Sequence, residues 1–472
     1  MLGDFYLLLI LDVEDIKMFK KKINSKQKKN NIGAVKVLGW SSRAISVAAN
    51  TIIIGYLMIF CTDTLKMPAA LVGSLMMASK IFDGITDFFA SFMVDNTKTR
   101  WGKGRPYEWC IVGVWLCTIA LFYTPVSWSL YIKAIWVFVM YTMVFSIFTT
   151  LLLASQTPYM IRAFDNDNEK IAKVGIYAGL LTMVGGMIVS VSFPIMMAKL
   201  AINPEGWQSL ILIYALPLLL IGLGRFFLVS ENSIIDETSG QDKISFKDIL
   251  IMLKRNKYTW ATAGMTGFYN VVIGMNAATY YFSYIVGDIG LYSTIQFIGI
   301  LVLPITLLFP YLMKKYTVSQ MIAGGALISA VGYLIYFFAG GNMALLLIGA
   351  FVSGVGQFPF VYLQANLSVQ MADYNEYIGL SRLDSSVGLL GGAFAKIGGG
   401  IGTALLGVLL GMAGYEGSVA VQTEGTLLMI KILYSIIPMI GMVLMALSVS
   451  QFSSLDKQQE TIEQALREKR AM

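Results

Sequence analysis

A series of long apolar segments constrains this chain more than any other feature of its sequence. Each segment is close to the roughly 20 residues that an α-helix needs to cross a lipid bilayer. The sequence predicts twelve such spans, at residues 39–61, 69–94, 108–124, 129–153, 171–198, 207–229, 258–285, 291–313, 319–339, 342–369, 385–413 and 425–449. Charged residues make up 13% of the chain, compared with about 25% in soluble domains. We therefore predict an all-α membrane protein with twelve transmembrane helices.

The longest polar interruption, residues 230–257, divides the spans into two sets of six. Such a layout is common in transporters that are built from two related halves. The predicted units are a basic cytoplasmic N-terminal tail at 1–38, an N-terminal six-helix bundle at 39–229, a cytoplasmic linker at 230–257, a C-terminal six-helix bundle at 258–449 and a cytoplasmic C-terminal tail at 450–472. In the first tail, residues 17–36 contain eight lysines, and Met18 is an alternative translation start.

The lysines and arginines predict the orientation, because the cytoplasmic loops of membrane proteins are enriched in them. With both termini in the cytoplasm, 28 of these residues lie on the cytoplasmic side and three, Lys66, Lys133 and Lys199, lie outside. We therefore predict a multi-pass protein of the plasma membrane, or of the inner membrane if the source is a two-membrane bacterium. The membrane-flanking loops account for the net charge of +7, so the expected partner is a lipid bilayer and not a nucleic acid. We expect a monomer.

Histidine is absent, which excludes histidine-based catalysis, histidine metal ligands and a histidine proton relay. The three cysteines, Cys61, Cys110 and Cys117, lie in apolar runs and suggest neither a disulfide framework nor a metal site. No pairing of a nucleophile with a base supports an enzyme. We therefore predict that the protein is not an enzyme, that it has no cofactor, and that any proton chemistry depends on carboxylates.

The second apolar segment contains three charged residues, Lys80, Asp83 and Asp87, at spacings that place them on one face of a helix. A carboxylate near the bilayer centre costs about 2.5–3.5 kcal/mol on insertion scales. Two carboxylates with nearby hydroxyl or carbonyl oxygens suit a hard cation such as Na⁺, or a proton. The sequence therefore predicts a coupling-ion site. The alternative is an internal ion pair in which Lys80 and Arg43 balance the aspartates.

The loop between the second and third spans, 95–108, combines basic residues with glycines and a proline. One interpretation is a positively charged cytoplasmic loop. The other is a gate, in which Arg100 and Arg105 pair with Asp95, with Glu108 or with acceptors on neighbouring helices, and these pairs separate when the two halves rock against each other.

Lys396 lies among glycines and alanines in span 11. A buried ammonium in such surroundings needs an acid, a carbonyl or a substrate oxygen. We expect Lys396 to face Asp83 and Asp87 across the interface between the halves.

Amides and aromatic rings in several spans are candidates to line a central cavity for a polyhydroxylated ligand, which they would bind by hydrogen bonds and ring contacts. These residues are Asn50, Gln156, Tyr159, Asn270, Asn276, Gln357, Tyr362 and Gln364. The alternative for each of them is that it joins neighbouring membrane helices to one another.

Several motifs run in order across almost the whole chain. They are YLMIFCTD at 56–63, KIFDGITD at 80–87, RWGKGRP at 100–106, TPY at 157–159, ADYNEY at 372–377 and FAKIG at 394–398. Together they resemble the glycoside–pentoside–hexuronide:cation symporters. The resemblance implies the major facilitator fold and the uptake of a sugar coupled to Na⁺ or H⁺.

The resemblance also implies roles for individual residues. Asp83 and Asp87 match the cation-binding aspartates of the family, with Thr86 in place of an intervening asparagine, and Lys396 matches a lysine near them. The threonine of span 4 that helps to hold the cation falls at Leu153, which has no side-chain oxygen.

The resulting hypothesis is a secondary active transporter that couples symport of a sugar or glycoside to Na⁺ or H⁺ by alternating access. The assigned residues are Asp83, Thr86 and Asp87 for the cation, Lys396 and Lys80 for coupling, Asn50, Gln156, Tyr159 and Gln364 for the substrate, and Asp95, Arg100, Arg105 and Glu108 for gating. Na⁺ at the aspartates is the one metal ion that the hypothesis includes. The alternative is a facilitator or exporter of a lipid-like or other organic solute, or a sugar sensor without transport.

Overall fold

The computed structural model describes residues 33–97, 99–165, 167–231, 246–380, 389–417, 419 and 421–471. The basic tail up to residue 32, with Met18, and the linker segment 232–245 lie outside the described residues.

The described residues form helices, apart from connecting turns and one isolated bridge between Thr99 and Gly102. The long helical segments are α1 (Ala34–Thr64), α2 (Ala69–Asn96), α3 (Cys110–Phe122), α4 (Leu130–Ala163), α5 (Asn168–Leu200), α6 (Pro204–Leu228), α7 (Tyr258–Met275), α8 (Ile289–Leu312), α9 (Val318–Ala339), α10 (Met343–Tyr377), α11 (Leu389–Met412) and α12 (Glu424–Asp456). Two shorter helices, Phe246–Arg255 and Gln459–Ala471, precede α7 and follow α12. Nine of the described helices are long and apolar enough to cross a membrane.

The helix type changes locally in α4 and at the end of α7. The turn Met143–Thr149 of α4 is π-helical and directly precedes Thr150, and such turns are frequent at functional sites. α7 stops at Asn276, which adopts a left-handed conformation with φ of 46°. Asparagine tolerates this conformation better than most residues. The chain then resumes as a short helix, Ala278–Tyr281.

The helices pack as two groups that meet along two helix pairs. In the first group α1 packs against α5 and α6, and in the second α7 packs against α11 and α12. The groups meet where α2 lies against α11 and where α5 lies against α8. Glycine permits the α2–α11 approach, because a Cβ atom built on Gly407 would lie 2.4 Å from the carbonyl oxygen of Ala69. Small residues thus allow these two helices to lie in close contact.

Hydrogen bonds join the two groups at one end of the molecule, formed by the last turns of α1, the chain after α7 and the α11–α12 loop, here called the closed end. Asp63 accepts hydrogen bonds from the hydroxyls of Tyr284, at 2.7 Å, and Tyr415. The hydroxyls of Thr62 and Tyr280 lie 3.0 Å apart. Burial raises the pKa of Tyr415 far above its usual range, so this hydroxyl keeps its proton and donates a hydrogen bond to Asp63.

Candidate functional site

Four side chains from three helices meet at the interface between α2 and α11. Thr150 of α4 donates to Asp83 Oδ1 at 2.9 Å and lies 3.4 Å from Asp87 Oδ1. The Nζ atom of Lys396 lies 3.3 Å from Asp83 Oδ2 and donates directly to Asp87 Oδ2. Asp83 is buried, whereas the Asp87 side chain is half-exposed. The structure thus brings together the two aspartates and the lysine that the sequence singled out.

The backbone around Lys396 explains how its ammonium reaches the aspartates. A Cβ atom on Gly398 would lie 2.3 Å from the carbonyl oxygen of Gly267, so α11 lies in close contact with α7 on one side. On the other side, a Cβ atom on Gly400 would lie 3.1 Å from the Lys80 side chain of α2. The glycines therefore hold α11 between α7 and α2, and Lys396 projects toward the carboxylates from that position.

The chemistry of the cluster suits a monovalent cation. Two carboxylates carry two negative charges and Lys396 balances one of them, while Thr150 adds a hydroxyl oxygen. Carboxylate and hydroxyl oxygens are ligands for hard cations, and carboxylates also accept protons. Thr86 donates its own hydroxyl to the carbonyl oxygen of Asp83 at 3.1 Å, within the same helix. Groups of three or more histidine, cysteine, aspartate or glutamate side chains that could hold a metal ion do not occur among the described residues.

Thr150 corrects the expectation that span 4 offers no oxygen to the cation site. Leu153, where the resemblance places the family's threonine, is 59% exposed, whereas Thr150 contacts Asp83. The π-helical turn Met143–Thr149 changes the register of α4 just before Thr150. A prediction that assumes a constant helical period therefore cannot identify the face of α4 that meets α2. The adjacent hydroxyls of Thr149 and Thr150 in an apolar span were nevertheless visible in the sequence as candidate ligands.

Lys80 lies apart from this cluster. Its Nζ atom sits 3.9 Å from the centre of the Phe145 ring and 5.9 Å from that of Tyr141. No carboxylate of a described residue lies within 4.0 Å of it. In this conformation the direct ion pairs of Asp83 and Asp87 are with Lys396, and not with Lys80 or Arg43.

A cavity of about 450 Å³ lies between the two groups of helices, here called the central cavity. Its polar and aromatic lining comes from both groups: Thr51, Tyr56, Lys80, Tyr141, Phe145, Asn270, Asn276, Tyr292, Gln296 and Thr403. Among these lining residues Lys80 carries the one formal charge.

Three of the four predicted substrate residues do not line any cavity described here, which corrects the sequence-based assignment. Asn50 is buried and donates to Thr118 at 2.8 Å. Tyr159 is 0% exposed, and its hydroxyl donates to the carbonyl oxygen of Val229 at 2.7 Å. Gln156 accepts a hydrogen bond from the Arg43 guanidinium. The polar groups of these residues join helices of the first group to one another, which is the alternative that the sequence left open.

The fourth predicted substrate residue, Gln364, lines a separate cavity of about 600 Å³, here called the second-half cavity. Its walls belong to α7, α10 and α11 and include Thr262, Thr266, Tyr269, Asn270, Phe360, Gln364, Ser368, Gly391, Gly392 and Ala395. Asn270 also lines the central cavity. The two cavities therefore share a wall.

The predicted gate residues have different partners in the structure. Glu108 is 0% exposed and lies 3.3 Å from Arg43 Nη1 and 3.8 Å from Arg225 Nη1. Arg105 donates to the carbonyl oxygen of Phe226 at 2.9 Å. Arg105 therefore does not pair with Glu108, which lies between two other arginines. It contacts an acceptor on a neighbouring helix, which is another of the partners that the sequence left open.

The rest of the predicted gate adds no charge pair to the described structure. Arg100 stacks on the neighbouring Trp101 ring at 4.9 Å. The side chain of Asp95 lies outside the described part of the structure, as does Lys98.

Glu231 stabilises the loop between α2 and α3, and no pattern in the sequence predicted this role. Its carboxylate accepts hydrogen bonds from the backbone N–H groups of Lys103, Gly104 and Arg105, at distances of 2.9 to 3.2 Å. It also lies 3.4 Å from Arg162 Nη1. A carboxylate that follows the sixth span by a few residues has no pattern that distinguishes it from an ordinary linker acid.

The described structure thus consists of apolar helices in two groups, with a charged site at their interface and a cavity between them. The structure resembles a solved bacterial homologue of the human lysosomal transporter Spinster in an inward-facing, unoccupied conformation, with a TM-score of 0.64, 14% sequence identity and coverage of 92% of this chain and 98% of that chain. At that identity the likeness shows the fold alone.

The sequence profile of the family described as MFS/sugar transport protein matches residues 42–457. The chain therefore belongs to this family, and it is a multi-pass membrane transporter rather than an enzyme. It is 28% identical over 418 residues to an isoprimeverose transporter of Lactiplantibacillus pentosus, covering 85% of this chain and 84% of that protein. It is 22% identical over 408 residues to a glucuronide carrier protein homolog of Escherichia coli strain K12, covering 85% of this chain and 88% of that protein.

Proposed function

We propose that this chain imports a sugar or glycoside together with Na⁺ or H⁺ by alternating access. The observation that carries the proposal is the cluster of Asp83, Asp87, Thr150 and Lys396 on both sides of the interface that must rearrange during transport. The relatives named for sugars support the choice of substrate.

In the proposed membrane arrangement, α2, α3 and α7 cross the bilayer together with the other nine long helices, and both termini are cytoplasmic. The closed end then faces the outside, because it contains the loops with few positive charges. A closed outer end implies that the central cavity is reached from the cytoplasm in this conformation.

The Lys396 ammonium acts in this proposal as a tethered substitute for the coupling ion. When a cation or proton binds to the aspartates, it neutralises charge that Lys396 otherwise balances, so the Lys396–Asp87 contact weakens. Because Lys396 belongs to α11 and the aspartates belong to α2, cation binding changes the attraction between the two groups of helices. Lys80 remains the second coupling candidate, as a partner for Asp83 when Lys396 withdraws.

Uptake of labelled sugars into proteoliposomes tests the proposal, with Na⁺ and H⁺ gradients imposed separately. A symporter accumulates sugar against its gradient with one of the two ions. A facilitator equilibrates the solute without accumulation, an exporter moves it in the opposite direction, and a sensor binds sugar without flux. Each of these three outcomes contradicts the proposal.

Replacing Thr150 by valine is expected to raise the half-saturating concentration of the coupling ion about tenfold, because the site loses a hydroxyl oxygen that contacts Asp83. The measurement is initial sugar uptake as a function of cation concentration. Thr149→Val is the matched control, since the Thr149 hydroxyl has no hydrogen-bond partner among the described residues. Equal half-saturation in both variants would exclude Thr150 from the site.

Replacing Asp63 by asparagine is expected to open the closed end more often, because a neutral amide accepts the Tyr284 and Tyr415 hydrogen bonds less well than a carboxylate does. A Thr51→Cys probe in the central cavity, with Cys61, Cys110 and Cys117 replaced by serine, should react about tenfold faster with an impermeant maleimide added outside.

Glu416→Gln serves as the control for Asp63→Asn, since Glu416 is an exposed acid next to Tyr415. An unchanged labelling rate in Asp63→Asn would show that these hydrogen bonds do not hold the closed end together.

A further inference from the structure

Unpaired polar groups converge on the second-half cavity. Asn270 donates its amide N–H to the carbonyl oxygen of Thr266 at 2.8 Å, which leaves its Oδ1 atom without a partner among the described residues. The side chains of Tyr269, Gln364 and Ser368 also have no hydrogen-bond partner within the described parts of the chain. Four groups that can donate or accept hydrogen bonds thus line one concave space.

Aromatic rings form part of the same wall. The ring centres of Tyr269 and Phe360 lie 4.3 Å apart at an angle of 44°. Ring faces cover the apolar C–H surface of a sugar, while amides and hydroxyls bind its edges. The cavity volume of about 600 Å³ lies within the range of about 300–1,000 Å³ that small-molecule sites occupy.

The first group of helices has no comparable set of unpaired polar side chains at the positions where the sequence predicted substrate-binding residues. Asn50 Nδ2 donates to Thr118, Gln156 Oε1 accepts from Arg43, and the Tyr159 hydroxyl donates to the carbonyl oxygen of Val229. Breaking such buried hydrogen bonds to bind a ligand would leave their partners unsatisfied.

We infer that the sugar ring binds in the second-half cavity, with Asn270 and Gln364 as its hydrogen-bonding residues. The inference rests on the proposed function and specifies which half of the protein recognises the sugar. The ligand class is a neutral polyhydroxylated ring, because the cavity lining contains no formal charge. Since Asn270 lines both cavities, a second sugar unit or an aglycone extends from this ring into the central cavity.

The position of this cavity connects sugar binding to the cation site. Gly391, Gly392 and Ala395 of α11 form one wall, and Ala395 directly precedes Lys396. A sugar in contact with this wall limits the movement of the helix that carries the Lys396 ammonium. Occupancy of the cavity and release of Lys396 from Asp87 therefore involve the same helix.

Gly392 provides a variant that fills the cavity without disturbing the fold. A Cβ atom at this position meets nothing within 4 Å, and Gly392 lines the cavity. Gly324 of α9 is a matched control, because a Cβ atom there also meets nothing within 4 Å and the residue lines neither cavity. Gln357→Ala is the matched control for Gln364→Ala on the same helix, since Gln357 lies outside both cavity linings and its amide faces Tyr333.

The test measures uptake of the labelled neutral sugars isoprimeverose, lactose and raffinose into proteoliposomes. For the sugar that wild-type protein accumulates, Asn270→Ala and Gln364→Ala are expected to raise the half-saturating concentration about tenfold, and Gly392→Val to abolish saturable uptake. Gly324→Val and Gln357→Ala are expected to match the wild type. Cation-dependent thermal stabilisation should persist in Asn270→Ala and Gly392→Val, because the aspartate cluster is unchanged.

Wild-type half-saturation in both Asn270→Ala and Gly392→Val would overturn the inference while leaving the proposed function intact. Failure of the wild type to accumulate any of the sugars with either ion would instead overturn the proposed function and the inference with it. If a variant does not fold, a Ser368→Cys probe in the cysteine-free background gives the second measurement. The transported sugar should slow maleimide labelling at this position, and equal labelling with and without sugar would contradict the site.

Discussion

Asp83→Asn and Asp87→Asn are each expected to reduce gradient-driven sugar uptake by about 100-fold. Either change removes one of the two negative charges that face Lys396, so the ammonium alone balances the remaining carboxylate. A cation then gains little by displacing Lys396, and its gradient no longer drives accumulation. The measurement is initial uptake into proteoliposomes under an imposed Na⁺ or H⁺ gradient.

Asp288→Asn is the matched control for both aspartate variants. Its side chain accepts a hydrogen bond from the Gly290 N–H in the turn before α8, and an asparagine side chain can replace that contact. Sugar exchange without a gradient separates coupling from binding, because a variant that has lost only the cation site still exchanges sugar. Accumulation at the wild-type level in Asp83→Asn or Asp87→Asn would eliminate that carboxylate as a coupling residue.

Glu108→Gln is expected to destabilise the folded protein by about 3–5 kcal/mol, because it removes the carboxylate between two buried arginines. Arg43 is 2% exposed and Arg225 is 1% exposed, so neither guanidinium can turn to water without local unfolding. The measurement is the thermal unfolding midpoint of the purified protein in detergent. Glu205→Gln, at an exposed acid in the first turn of α6, should leave the midpoint unchanged.

An unchanged midpoint in Glu108→Gln would show that the two arginines do not depend on this carboxylate. Glu108→Asp separates charge from shape, since it keeps the negative charge but shortens the side chain. We expect Glu108→Asp to be intermediate between the wild type and Glu108→Gln.

Sequence reasoning predicted that Asp83, Asp87 and Lys396 meet, because the signal for each of them is local. Asp83 and Asp87 stand out in any apolar helix, and Lys396 stands out in a span of glycines and alanines. Because a single charge in a bilayer is costly, acidic and basic residues in membrane helices usually pair with one another. Their meeting at the α2–α11 interface therefore follows from composition almost without knowledge of the packing.

The substrate residues could not be predicted in the same way. Asn50 and Asn270 are both amides in apolar spans, yet one is enclosed between α1 and α3 while the other faces two cavities. The difference depends on which face of each helix meets a neighbour, and irregular turns such as the π-helical turn Met143–Thr149 change that face along a helix. Hydropathy carries no information about such shifts.

The contacts of Glu231 bear on how the polypeptide can be divided. This residue follows the end of α6 and would ordinarily be assigned to the linker, but its carboxylate holds the backbone of the α2–α3 loop and contacts Arg162. A residue just beyond α6 thus stabilises the loop between α2 and α3. Any scheme that produces the two halves as separate polypeptides, or that grafts one half onto another protein, has to place its junction after residue 231.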